Sequence, residues 1–153
     1  MPCVASREVN ILVELELLRS LTSSDFIALA PPPDDRGRSY WKYVLGNGND
    51  KYRQMVIKKV SLGLAGAVLR LGRWVKLDET NPRINQERLH CPVMLAERLQ
   101  SAAAFPLVTG SSHRILGLLY IGKREQTRFE ASEIEAVQDR IHTLTSFIEE
   151  KAT

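Results

Sequence analysis

Apolar residues near the start of the chain fall at nearly every angle of a 3.6-residue turn. Val9, Ile11, Leu12, Val13, Leu15, Leu17, Leu18 and Leu21 predict a helix over residues 6–22, and an apolar surface that wide predicts cover on two sides. At the other end Ile134, Val137, Ile141, Leu144 and Ile148 recur three and four apart. That is the seam of a helix that packs lengthwise, expected over residues 130–151. Between the two helices the period changes. Residues 26–30 are continuously apolar and stop at three prolines, which predicts a short buried strand. Tyr40, Trp41, Tyr43, Val44 and Leu45 are strong strand formers closed by a Gly–Asn turn.

Asp50 stands where it can cap a helix carrying Tyr52, Met55, Val56 and Val60. A second short helix is expected over residues 61–71, ended by Gly72. Residues 73–90 are mostly polar and predict an irregular loop around a short stretch at 74–77. Pro92 suits the first turn of a helix reaching Leu99. Residues 101–108 and 114–122 read as a hairpin turning at Gly110, Ser111, Ser112 and His113. A hairpin at the heart of a sheet, with long helices at both ends of the chain, predicts an α+β domain.

With 153 residues and 44% apolar side chains, the chain can bury one core, and a single domain over residues 1–153 is expected, frayed at 1–5. Apolar runs such as 102–108 and 115–121 are far shorter than the ~20 residues of a membrane span. Glu8, Glu14 and Glu16 interrupt the first helix in a way a secretory signal does not, so a cytoplasmic location is expected. Cys3 and Cys91 read as reduced thiols. The formal charge of +3 is scattered rather than gathered into a stripe, which argues against nucleic-acid binding. His90, Cys91, His113 and His142 lack the paired spacing of a zinc site, so no metal is expected. No glycine-framed serine, phosphate loop or catalytic carboxylate pair is present, and the expectation is a protein that is not an enzyme.

The segments SLGLAGAVLRLGR (61–73), CPVMLAERLQSAAAFPLVT (91–109) and RILGLLYIGKREQTRFEASEIEAVQDRIHTLTSFI (114–148) together resemble the GAF domain family over nearly the whole chain. The resemblance implies a six-stranded antiparallel sheet with helices on both faces. It also implies a homodimer formed through the first and last helices. Within the family, SYWKYVLGNGNDKYRQMV before the short helix is similar to stand-alone nitrate receptors of the NreA type. That similarity implies a cytoplasmic nitrate sensor reporting to a sensor histidine kinase. It places the anion against Trp41 and the helix entry at Leu64 and Ala65, with Gly66 following.

The chemistry of those residues is compatible with that role. A helix entry offers unpaired N–H groups and partial positive charge, and a Trp indole adds one donor on an apolar body. Phe26, Met55, Pro92 and Val93 are expected as walls. Each residue has a plainer reading as well: Trp41 as a core side chain, Gly66 as a point of close packing, the walls as ordinary core. A GAF enzyme that reduces free methionine-(R)-sulfoxide is the alternative, but that chemistry calls for a cysteine at the short-helix entry, where Leu64 and Ala65 stand. A ligand-free dimerisation module is a third reading.

Overall fold

The chain folds around a five-stranded antiparallel sheet whose three central strands are almost wholly buried, because helices cover both faces, while its two edge strands are mostly half-buried. The computed structural model describes residues 4–109 and 114–149. In chain order its elements are α1 (Val4–Leu21), β1 (Phe26–Ala30), β2 (Arg38–Ser39), β3 (Tyr43–Leu45), β4 (Ile57–Lys58), α2 (Leu64–Leu71), β5 (Val75–Leu77), α3 (Ile84–Glu87), α4 (Pro92–Glu97), β6 (Ser101–Val108), β7 (Ile115–Lys123) and α5 (Ala131–Glu149). The sheet runs β3-β1-β7-β6-β5, and β2 pairs with β4 in a separate two-stranded ribbon. The expected six strands are thus five plus a ribbon. The hairpin turn at Gly110 to His113 lies outside the described residues, as does Cys3.

Strand β7 is central and serves two cores. Tyr120 and Leu118 join Phe26, Ala28, Ala104 and Leu77 under α2 and α4. Leu119 and Ile121 join Ile27, Leu29 and Phe105 under α1 and α5. A register shift near the hairpin pairs Leu107 with Gly117 but Val108 with Ile115, leaving Leu116 as an extra residue. The bulge reverses the alternation, so Leu116 packs with the α1 and α5 core while Ile115 packs with the other.

Helix α1 buries Ile11, Leu15 and Leu18 and leaves Val9, Leu12, Val13, Leu17 and Leu21 exposed. Its Glu14 is buried and accepts two hydrogen bonds from Arg140 of α5, at 2.8 and 2.9 Å. The seam residues Ile134, Val137 and Leu144 of α5 are engaged by the chain's own sheet. The apolar stripe left facing outward is therefore on α1. Where α5 begins, the Lys123 ammonium is 1% exposed and donates to Glu133 at 2.7 Å, Gln126 Oε1 at 3.0 Å and the Arg128 carbonyl at 3.1 Å. Asp78 accepts the Phe129 N–H beside it.

Several short elements differ from the sequence reading. The helix expected after Asp50 is one 3-10 turn, Lys51–Gln54, and Asp50 makes no side-chain cap bond. Met55 turns extended and Ile57 pairs with Ser39, so cross-strand pairing overrides the helical spacing. The strand expected from Tyr40 begins only at Tyr43, and Trp41 stands in the crossing before it. The loop expected over 73–90 contains β5, paired along β6, and the short α3. Helix α2 ends at Gly72, as its sequence predicts, with φ of 71° and its N–H on Val68. No helix among the described residues is long and apolar enough to cross a membrane.

Candidate functional site

The entry of α2 is built by two glycines. Gly63 has φ of 91°, and a Cβ there would stand 2.5 Å from the His90 carbonyl and 3.2 Å from Cys91 Sγ. Only glycine lets the helix begin against that segment. Gly66 has a packing reason of its own, since a Cβ on it would meet the Ser61 carbonyl oxygen. Gly63 has no side chain to cap α2, the Leu64 N–H is directed at the Cys91 thiol, and the first intrahelical bond runs from Ala67 to Gly63. The N–H groups of Leu64, Ala65 and Gly66 therefore precede the helical ladder.

Trp41 is buried on the same face of the sheet. Its ring lies edge-on to Tyr120 with centroids 5.5 Å apart, and Phe26 packs edge-on to Tyr120 at 6.3 Å. Leu64 and Val93 belong to this buried cluster, with Met55 and Ala65 half-buried against it. Six of the eight expected residues thus come together. Gly66 is buried within α2 against Ser61. Pro92 is at the first position of α4 and is exposed, so it does not wall the cluster. Its neighbours Val93 and Met94 turn inward instead.

Two residues in the cluster escaped the sequence reading. Tyr120 is 2% exposed, and its hydroxyl has no hydrogen-bond partner among the described residues. Its signal was there: a tyrosine inside an otherwise apolar, fully buried strand must place its hydroxyl somewhere. Cys91 is the other, buried against Gly63 at the helix entry. Burial pushes the Cys91 thiol up and outweighs the Leu64 N–H, which pulls it down. Burial also pushes the Tyr120 phenol well above 10.0, with Cys91 adding to the effect. At neutral pH both are uncharged proton donors.

These directions have a consequence for stability. Both groups hold their protons more tightly in the folded state than in the unfolded one. The stability they contribute is complete below the ordinary thiol value of 9.0 and is lost as pH rises through the raised folded values. Thermal unfolding followed from pH 7 upward should show the melting temperature falling once the ordinary thiol value is passed. Cys91→Ala should flatten the first part of that fall. An equally steep fall in the variant would acquit the thiol.

A cleft of about 320 Å³ opens on the outer side of the entry between Gly63, Leu64, Arg70, Lys76, His90 and Cys91. It shares Leu64, Leu77 and Cys91 with the buried cluster and does not include Trp41. A cavity of about 610 Å³ on the α1 and α5 side, between Arg7, Ile11, Leu29, Tyr43, Leu116 and Ile148, contains none of the eight residues. Among the described residues no group of His, Cys, Asp and Glu could hold a metal ion. Neither cavity is lined by Trp41 or Tyr120; the cluster itself gathers two neutral donor groups, an indole and a phenol, in an apolar shell. That suits a small, weakly hydrated anion or another acceptor-rich molecule.

No family model matches the chain, and no curated protein matches it. Solved structures do. NreA of Staphylococcus aureus, characterised with its nitrate-binding site mutated, is 24% identical over 85% of this chain and 92% of its own, with a TM-score of 0.67. A hypothetical protein from S. aureus is 27% identical over 74% of this chain and 92% of its own, with a TM-score of 0.62. The GAF domain of a two-component sensor histidine kinase from Bacillus halodurans is 16% identical over 98% of this chain and 96% of its own, with a TM-score of 0.71. The chain has the α+β fold of a GAF domain and resembles NreA.

Proposed function

We propose that this domain is a cytoplasmic receptor for nitrate that modulates a partner sensor histidine kinase in a two-component system regulating nitrate respiration. It acts by binding, not by catalysis. The observation that carries the reading is that Leu64, at the first turn of α2, and Trp41 belong to one buried cluster on one face of the sheet. Nitrate is planar, singly charged and weakly hydrated, so neutral donors can hold it without a buried Lys or Arg. The likeness to NreA supports nitrate as the ligand, and the likeness to a kinase GAF domain supports signalling as the output. The exposed stripe Val9, Leu12, Val13, Leu17 and Leu21 supports a homodimer through α1.

The sulfoxide-reductase reading gains one observation, the position of Cys91 at the helix entry. Its thiol is held protonated and is a poor nucleophile in that state. The receptor reading is preferred for that reason. Titration calorimetry is the test. Wild type should release or absorb heat with millimolar nitrate, and Trp41→Phe should bind more weakly by ~1–3 kcal/mol because one nitrate oxygen loses its donor. No heat in wild type would sink the nitrate reading, and unchanged affinity in the variant would remove Trp41 from the site.

A further inference from the structure

We infer that the hydroxyl of Tyr120 is a ligand donor, and that it makes the pocket selective for an oxyanion whose oxygens can each take a separate donor. The inference rests on the receptor reading and deepens it, since it concerns what that same site recognises.

Four observations support it. The hydroxyl is buried with no partner among the described residues, although a buried hydroxyl left unpaired is costly and native structures rarely keep one. It is held in place: Trp41 and Phe26 both pack edge-on against the ring, which sits on the central strand between β1 and β6. It belongs to the buried cluster that contains Leu64, at the first turn of α2, and Cys91, whose sulfur lies beside Gly63 at the same entry. Finally, its phenol stays protonated far above neutral pH, so the group is a fixed donor that adds no repelling charge.

The chemistry that follows is specific. The backbone amides of Ala65 and Gly66 in α2, an indole at Trp41 and a phenol at Tyr120 come from three separate segments of the chain. A trigonal oxyanion with three equivalent oxygens can use all three, whereas a halide presents one sphere to them. The phenol is therefore assigned to discrimination, and its removal should cost nitrate more than chloride.

The experiment compares wild type with Tyr120→Phe, which keeps the ring, using calorimetry and thermal melting with nitrate, nitrite, acetate and chloride. For nitrate, Tyr120→Phe should weaken binding about tenfold, with chloride changed far less. Without ligand, the variant should melt at or above the wild-type temperature, because an unpaired buried hydroxyl has been removed. A hydroxyl with only a structural role gives the opposite pattern, a lower melting temperature and unchanged nitrate affinity, and that result overturns the inference. If wild type ignores nitrate yet binds nitrite or acetate through Tyr120, the nitrate reading fails while the inference stands. If wild type binds none of these oxyanions, both fail.

Discussion

Lys123→Ala should destabilise the domain by about 3–5 kcal/mol, a large share of the ~5–15 kcal/mol that holds a typical domain together. The ammonium is buried and donates to three oxygens, one of them the Glu133 carboxylate. Its charge also lies 4.5 Å from the centre of the Phe129 ring. Removing it leaves the Glu133 carboxylate without its counter-charge, with the Glu130 N–H still donating to it, and takes a donor from two other acceptors. Each kcal/mol is worth roughly 2–4 °C in a domain of this size, so the melting temperature should fall by about 10 °C. Adding Glu133→Gln to the variant should recover part of the loss, because the stranded charge goes with it. A fall of only a degree or two in the single variant would mean that the ammonium contributes little.

The second large effect concerns the proposed homodimer. Val13→Asp together with Leu17→Asp places charges on the exposed stripe of α1 while leaving its buried side, Ile11, Leu15 and Leu18, untouched. Burial of one such side chain is worth ~1.5–3 kcal/mol, and a two-fold interface uses each position twice. Dissociation should therefore become at least about a thousandfold easier. Sedimentation at micromolar concentration should show dimers for wild type and folded monomers for the variant. A monomeric wild type would remove the dimer from the proposal. Substitutions along the α5 seam would not test this, since Leu144 and Val137 are core residues of the chain itself.

Legibility followed the range of the forces involved. The long helices, α2 with its glycine stop, and the β6 and β7 hairpin strands are set by local period and local turn residues, and the sequence reading located them. Strands β4 and β5 span two and three residues and exist because Ser39 and Ala102 to Ala104 pair with them. Nothing within residues 50–60 announces that Ile57 will leave the helical pattern for Ser39. The site divides in the same way. Trp41 and the α2 entry came from the resemblance to a known family, and their neighbours Phe26, Met55 and Val93 from that same placement. Tyr120 is conspicuous in its strand, but the face it takes follows from the strand's pairing and from the bulge at Leu116. Cys91 reaches the helix entry only because Gly63 allows the two backbones to approach.

The two cores share one ribbon of backbone. On β7 the residue beneath the aromatic cluster, Tyr120, is covalently flanked by Leu119 and Ile121, which lie beneath α1 and α5. A peptide plane is stiff, so the strand cannot shift on one side without carrying the other. The side that carries Trp41 and Tyr120 and the side that packs against α1 and α5 therefore meet at three consecutive residues of one strand, with only backbone between them.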